Sequence, residues 1–584
     1  MTFLWGKIII KIMKNLEIAD LFSKIADALD LKGGDYFKIR AYRRAARTIK
    51  DLSEDIEKIY KEGSLTNILG IGEGIAKKIK EYLETGKMSK YEKVTRDIPE
   101  SLLSLLNIRD LGPKTLHILH KELGVENLDD LKKIIEEGSF SKLEGLGEKK
   151  AEKIIEGIRV YEERMGKEKR FLLGEVVPTV NEIVKKLKNI DSVTRVSPAG
   201  SVRRMKETVG DIDVLVESNR PNEVMELFTS FPEVKKVLES GETKTSVILE
   251  GLDIQMDLRV LPPESYGAAL MYFTGSKDNN VRIRGLAQKK GLKVNEYGVF
   301  KNGRRIAGKT EEEIYKLLGM EFIAPELRED RGEVELALEN KLPFLVKYDD
   351  IKGNLHTHTI YSDGENTIEE LASHAIKFGY SYLGITDHSK AASYANGMKE
   401  DELKKQSDEI DYLNEKLENL TILKGIECDI LPDGSLDFDD KILESLDFVI
   451  GAIHSGFTKN VTERMIKALE NPFLKILAHP TGRLISRRVG YDVDLKSVMA
   501  KASEEDKILE INAYYDRLDL NEYNAKEANR RGIKLCINTD AHNLRMFDWM
   551  YLGVGIARRA WLPRNAIINT YDLKDLIKIL KGNG

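Results

Sequence analysis

Asp211 and Asp213 flank a single isoleucine at the head of the apolar run Ile212-Asp213-Val214-Leu215-Val216. Strand side chains alternate from face to face, so two acids one residue apart point the same way and can close on a cation. Asp257 lies inside a second apolar run, Asp253-Ile254-Gln255-Met256-Asp257-Leu258-Arg259-Val260, and a neighbouring strand would bring it to the same point. Three carboxylates with no softer ligand suit Mg²⁺ or Mn²⁺. Upstream, the Gly200-Ser201 turn with Arg203 and Arg204, followed by Gly210, supplies backbone amides and a cationic fork; such donors hold a polyphosphate. Acids for metal beside donors for phosphate imply phosphoryl transfer. Without these companions a D-x-D pair would read as the polar face of a half-solvated strand.

A second set of candidates lies in the last third of the chain. Six of nine histidines stand where short apolar runs end: His356 and His358 after Leu355, His388 after Asp387, His454 after Ile453, His479 after Ala478, and His542 after Ala541. Glu427 follows Ile426 in the same way, and a helical segment comes after each run. Strand, ligand and helix in repetition is how a β/α barrel gathers a site at the C-terminal ends of its strands. One such histidine is more often a satisfied polar group than a ligand. Seven ordered positions are another matter, and mixed imidazole and carboxylate ligation allows Mn²⁺, Zn²⁺ or Fe²⁺.

The elements that must position these groups exceed one core, because 584 residues split into several domains. Residues 13–90 are helical, with Ile18, Leu21, Phe22, Ile25, Ala26 and Leu29 recurring at three and four residues. There, Gly70, Gly72 and Gly74 separate two helices in a helix-hairpin-helix, whose glycines let a phosphate reach amides at a helix N-terminus. The pattern returns at Gly112 and at Gly145 and Gly147 in 91–172, a repeated, sequence-independent grip on a sugar-phosphate backbone. Net charge is +5 over 1–90, −2 over 91–330 and −8 over 331–584, so phosphate contact is expected to begin at the N-terminal end. The charged, turn-rich run Ala324 to Glu333 within 321–350 is expected to be a domain boundary. Residues 1–12 are read as a doubtful extension, with Met13 as the start. Two cysteines fit a reducing cytosol, and no apolar run reaches the roughly 20 residues that span a bilayer.

Gly200-Ser201, Arg204 and Gly210-Asp211-Ile212-Asp213, with Asp257 behind and Tyr272-Phe273-Thr274-Gly275-Ser276 after, resemble DNA polymerase family X, with a core similar to DNA polymerase beta over about 13–330. The ordered set His356, His358, Asp363, His388, Glu427, His454, His479, Asp540 and His542 resembles the PHP (polymerase and histidinol phosphatase) phosphoesterases over 351–584. Together they resemble the bacterial and archaeal family X form that carries a PHP domain. The resemblance implies a multidomain α+β and α/β fold: helix-hairpin-helix domains at 13–90 (lyase-like) and 91–172 (fingers), a nucleotidyltransferase palm with a mixed sheet at 173–261, a thumb at 262–320, a linker at 321–350 and a distorted β/α barrel at 351–584. It implies that Asp211 and Asp213 hold both Mg²⁺ ions, that Asp257 holds the catalytic one and helps remove the 3′-hydroxyl proton, and that Gly200, Ser201, Arg204 and Gly210 bind the triphosphate. Tyr272 and Phe273 would pack beside the sugar ahead of Gly275, and Asn280 and Arg284 would face the minor groove; Lys277 replaces an acid of the vertebrate members. By alignment Lys78 takes the place of the lyase's Schiff-base lysine, with Tyr42, Lys38 and Lys77 as neighbours, and Gly74 stands where vertebrate enzymes carry a phosphate-binding lysine. In the barrel the resemblance implies three metals: one at His356, His358, Glu427 and Asp540, one at Glu427, His454 and His479, and one at Asp363, His388 and His542.

The expected protein is thus a cytoplasmic, monomeric DNA-directed DNA polymerase of repair type that fills gapped or nicked DNA from deoxynucleoside triphosphates. A metal-dependent 3′–5′ exonuclease would trim 3′ ends or cut abasic sites, and a 5′-deoxyribose phosphate lyase is a further activity. The alternatives are a polymerase fused to a small-molecule phosphatase, or a structure-specific DNA-binding protein with weak polymerase activity.

Overall fold

The structure, a computed structural model, describes residues 18–581 except 20, 51–55, 62, 69, 97, 99, 109–110, 141–142, 144–146, 148–149, 152–153, 156, 159–169 and 486–489. The extension expected at 1–12 and the third-hairpin residue Gly145 lie outside the described residues. The chain divides into two compact units, Met1–Lys169 and Arg170–Gly584. Among the described residues no helix is long and apolar enough to cross a membrane.

Every regular element among the described residues of the first unit is a helix. Helix Tyr36–Lys50 buries Ile39, Tyr42, Ala45, Ala46 and Ile49, the stripe that a period of 3.6 places on one face, and Tyr42 stacks on Phe22 at 5.9 Å. Helices Glu73–Thr85 and Pro113–Leu123 start and stop by the same chemistry. An extended glycine, Gly72 or Gly112, forms each N-cap, and a left-handed glycine, Gly86 or Gly124, closes each C-terminus.

In the second unit the short strand Phe171–Leu172 is followed by helix Leu173–Lys188, whose Val176, Val177, Val180, Ile183 and Leu187 lie against a mixed five-stranded sheet. Its strand order is Val193–Pro198, Ile212–Ser218, Gln255–Leu261, Lys244–Leu249, Val234–Ser240, with only Ile212–Ser218 and Gln255–Leu261 paired in parallel. Helices Tyr266–Thr274 and Lys277–Lys289 and an antiparallel three-stranded sheet, Lys293–Asn295, Gly298–Lys301 and Arg304–Ala307, follow. Eight parallel strands come next in chain order. Gly353–Asn354, Tyr382–Ile385 and Thr421–Lys424 make one sheet; Glu427–Asp429, Val449–Ala452, Leu474–Leu477, Ile508–Asn512 and Leu535–Asn538 make the other. Parallel bridges His388 to Glu427 and Thr357 to Ala541 join the sheets at both seams, closing a distorted β/α barrel.

No residue of the charged, turn-rich run Ala324 to Glu333 is exposed. Arg328 and Glu333 are fully buried and Glu329 is 6% exposed. The reason is pairing: Arg328 Nη1 lies 2.5 Å from Glu311 Oε1, Arg203 Nη2 reaches Glu311 Oε2 at 2.6 Å, and Glu333 accepts from the amides of Asp330 and Arg331. Glu311→Leu, which leaves buried Arg328 and half-buried Arg203 without this acid, is expected to cost about 3–5 kcal/mol, read as a lowered calorimetric midpoint for the second unit.

Candidate active sites

In the mixed sheet Asp213 stands directly opposite Asp257, because the parallel register pairs 212 with 256 and 213 with 257. Asp211 comes two residues earlier, on the same face. Gly200 takes φ +57°, and a Cβ there would lie 2.5 Å from Asp213 Oδ2, so glycine is what lets the phosphate turn approach the acids. Burial first, then the charges of Asp211 and Asp257, push the Asp213 carboxyl up to about 7. Asp257 Oδ1 accepts from Gln255 Nε2 at 2.8 Å, and Lys244 Nζ lies 3.3 Å from Oδ2. Crowded carboxylates that resist common ionisation fit a divalent cation.

Arg204 extends from the turn beyond Ser201; its Nε lies 3.0 Å from Glu329 Oε1, and its Nη1 donates to the Thr274 carbonyl at 2.5 Å. Left-handed Gly275, φ +72°, allows this approach, since a Cβ there would meet Arg204 Nη1 at 3.2 Å. Tyr272 and Phe273 pack edge to face at 5.2 Å, and Arg259 lies 4.2 Å over the Phe273 ring. Asn280 Nδ2 donates to the Tyr272 carbonyl at 2.5 Å; Arg284 on the same helix is exposed, as is Gly210 beside the acids.

The barrel brings all nine sequence-expected ligands to one end. Glu427 is the hub: its oxygens lie 2.9 Å from His388 Nδ1, 3.1 Å from His479 Nε2, 3.3 Å from His454 Nε2, 3.4 Å from His356 Nε2 and 3.6 Å from His358 Nε2. Three groups have ligand atoms close enough to share an ion: His358, Asp363, His388 and His542; His356, His358 and Asp540; His388, Glu427 and His454. The partition differs from the expected one: His358 and His388, whose buried rings lie tilted at 4.4 Å, each belong to two groups, Glu427 belongs to one, and His479 to none. His356 Nε2, His358 Nδ1, His388 Nδ1, His479 Nδ1 and Glu427 Oε2 are buried with no hydrogen-bond partner. Orphaned lone pairs of this kind fit divalent metals. Burial opposes the imidazolium of His454, but Glu427 and Asp429 outweigh it and hold the group at about 10; His542, likewise opposed by burial, is held at about 9 by Asp363 and Asp540. Burial and the His542 and His388 charges push His358 down to about 3.

Three groups were missed in the sequence. Glu510 lies 2.8 Å from His356 Nδ1, and Asp429 lies 2.5 Å from His454 Nδ1, so each fixes which imidazole nitrogen faces the cluster. The clue for Glu510 was an acid inside the wholly apolar Ile508-Leu509-Glu510-Ile511; Asp429 repeats the one-residue spacing after Glu427. Arg517, on the loop after Ile508–Asn512, keeps a raised pKa because Asp540, Tyr491 and Glu427 outweigh the effect of burial, which puts a cation beside the cluster.

In the first unit the hairpin glycines recur structurally. Gly72, Gly112 and Gly147 are exposed, and each carbonyl accepts from the amide four residues on, Ala76, Leu116 or Ala151. Gly70 takes φ +90° against the Arg44 side chain, and open space surrounds Gly74. Lys78 Nζ donates to the Gly74 carbonyl at 2.6 Å and lies 5.8 Å from the centroid of the Tyr42 ring. Burial, then the Lys90 charge, lowers its pKa, with Lys77 adding to the effect and Glu81 opposing it. Lys38 is exposed, its amide bonded to Asp35.

A nucleotidyltransferase sheet and a barrel built to hold several metals, in a chain with repeated backbone-gripping hairpins, define a metal-dependent enzyme of polynucleotide phosphodiesters. Family models match in that order: helix-hairpin-helix domain over 13–88, SAM-like helix-hairpin-helix tandem over 102–159, DNA polymerase beta palm over 173–262, DNA polymerase beta thumb over 269–329 and PHP domain over 354–513. The chain is 40% identical over 578 residues to the DNA polymerase/3′-5′ exonuclease PolX of Bacillus subtilis, covering 98% of this chain and 100% of that one. A probable phosphatase of Thermoanaerobacter sp. is 31% identical over 37% of this chain and 89% of its own length, and DNA polymerase lambda of Rattus norvegicus is 25% identical over 54% and 56%. The chain belongs to the family X DNA polymerases that carry a PHP domain.

Proposed function

We propose that the chain fills short gaps in DNA at the Asp211, Asp213 and Asp257 site and hydrolyses DNA 3′ ends at the barrel cluster. The observation that carries the first half is the register that sets Asp213 against Asp257 beside the Gly200 turn. Divalent cations, when bound, supply Lewis-acid chemistry at both centres, Mg²⁺ or Mn²⁺ in the sheet and up to three of Mn²⁺, Zn²⁺ or Fe²⁺ in the barrel. Within the sheet, Asp211 and Asp213 orient the ligands, Asp257 accepts the 3′-hydroxyl proton at a carboxylate oxygen, and Ser201 and Arg204 hold the triphosphate. Tyr272 and Phe273 limit the space beside the sugar, while Asn280 and Arg284 face the base pair.

In the barrel, Glu427 holds the cluster together, Glu510 and Asp429 set the imidazole tautomers, and Arg517 neutralises the scissile phosphate. Hairpin amides near Gly70, Gly72, Gly74, Gly112, Gly145 and Gly147 bind phosphates of gapped or nicked DNA, and the working form is a monomer. Primer extension on a one-nucleotide gap with Mg²⁺ or Mn²⁺ tests the first activity, and an absence of extension refutes it. The similarity to a probable phosphatase supports a second reading of the barrel as a phosphomonoesterase. Faster turnover of p-nitrophenyl phosphate than of a 3′-recessed oligonucleotide would favour that reading.

The lowered pKa of Lys78 supports a lyase, because a Schiff-base nucleophile must be neutral. Borohydride is expected to trap wild type on incised abasic DNA, and Lys78→Ala to lose at least about ten-fold of the adduct. Equal trapping by the variant would move the role to another lysine.

A further inference from the structure

We propose that the barrel is a working part of the nucleotide site, with Arg559 as a positioning residue for Arg204. This rests on the polymerase reading above, but the contact itself is structural. Arg559 ends helix Met550–Arg559 of the barrel and its side chain is wholly buried. Its Nη1 donates to the Arg204 carbonyl at 2.6 Å and lies 3.1 Å from Glu329 Oε1, the same oxygen that takes Arg204 Nε at 3.0 Å. One barrel guanidinium thus fixes both the backbone that ends the Gly200–Arg203 turn and the acid that clamps the Arg204 side chain.

Arg559 is itself braced from the far side. Its Nη2 donates to Glu522 Oε1 at 2.9 Å, and Arg331 Nη1 lies 2.7 Å from that oxygen. Close packing surrounds the contact. A Cβ on Gly555 would meet Met205 Cε at 2.5 Å, a Cβ on Gly174 would meet Tyr515 Cβ at 2.4 Å, and Arg483 Nη2 pairs with Glu207 Oε2 at 2.7 Å. The chain at and just after Arg204 is therefore docked on the barrel, and the turn's phosphate-facing donors inherit the barrel's rigidity.

Glu329 also explains what a triphosphate must do on arrival. It must compete for a guanidinium already bonded to Glu329 and Thr274, and the cost of that exchange depends on where Arg559 holds Glu329. Without Arg559, Glu329 has one cation fewer and holds Arg204 more tightly, while the Arg204 carbonyl loses its donor. Triphosphate binding should weaken more than the chemical step.

The test uses the full chain and single-nucleotide gap filling. Arg559→Met is expected to raise KM for the deoxynucleoside triphosphate about ten-fold, within the range usual for coupled sites, with kcat changed less. Affinity for gapped DNA and 3′-end hydrolysis should stay at wild-type values, which a general loss of fold would not allow. Arg559→Lys retains charge but cannot reach both oxygens with a planar fork, so it should restore part of the KM. If Arg559→Met melts below assay temperature, Arg559→Lys decides with the same readings. An unchanged KM in a folded variant of active wild type overturns the proposal. A wild type that adds no nucleotide overturns the polymerase reading instead.

Discussion

Asp213→Asn is expected to lower nucleotide addition by about 10³-fold or more, since losing several kcal/mol of transition-state charge stabilisation at a metal site corresponds to that factor. Asp213 faces Asp257 across the parallel pair and packs against Gly200, so an amide fits the space while removing the charge. The same substitution should stabilise the metal-free protein at high pH. Burial, with Asp211 and Asp257, raises the folded carboxyl to about 7 from its ordinary value of 3.8. A raised acid pKa means the folded state holds the proton more tightly, so its contribution is fully present below about 3.8 and is lost as pH rises through about 7. An asparagine mimics the protonated acid and does not titrate. Melts in chelator should therefore show the variant above wild type at pH 8.5, with the difference shrinking toward pH 4. Retained gap filling, or a variant less stable than wild type at pH 8.5, would remove Asp213 from the proposed cation site.

The legible part of the molecule was the part governed by short periods. Alternation gave the shared face of Asp211 and Asp213, and apolar runs ending in histidine gave the barrel strands before their pairing was known. The repeated glycines marked hairpin helix starts because an N-cap leaves amides free, and Gly72 and Gly112 occupy those caps. What sequence spacing could not show is which distant groups meet. Arg328 and Glu329 read only as part of a charged, turn-rich run because their partners Glu311, Arg204 and Arg559 come from other segments. Sharing of His358 and His388 between groups was hidden for the same reason, being set by ring packing rather than by order along the chain. Glu510 looked like one acid among many until the barrel buried it against His356.

Glu427→Gln is expected to abolish 3′-end hydrolysis, again by about 10³-fold or more, while leaving gap filling within about two-fold, as expected of independent sites. The carboxylate faces five imidazoles, and Oε2 is buried without a hydrogen-bond partner, so an amide there removes the anion that balances the cluster. Loss of that anion should also lower metal content, readable by elemental analysis independently of activity. The polymerase site should not feel the change, because the contacts that tie it to the barrel, through Arg559, Glu522 and Glu329 and through Met205, Glu207 and Gly174, are made without Glu427. Helix Met550–Arg559 is seated by packing, with Gly553 against Ile537 and Ala513, rather than by the ligands. The two variants therefore dissociate: Glu427→Gln silences the barrel's chemistry and spares its scaffolding, whereas Arg559→Met does the reverse. Gap filling that falls together with hydrolysis in a folded Glu427→Gln protein would mean that the metals hold the barrel in the shape Arg204 requires. The coupling would then run through the cluster and not through the arginine.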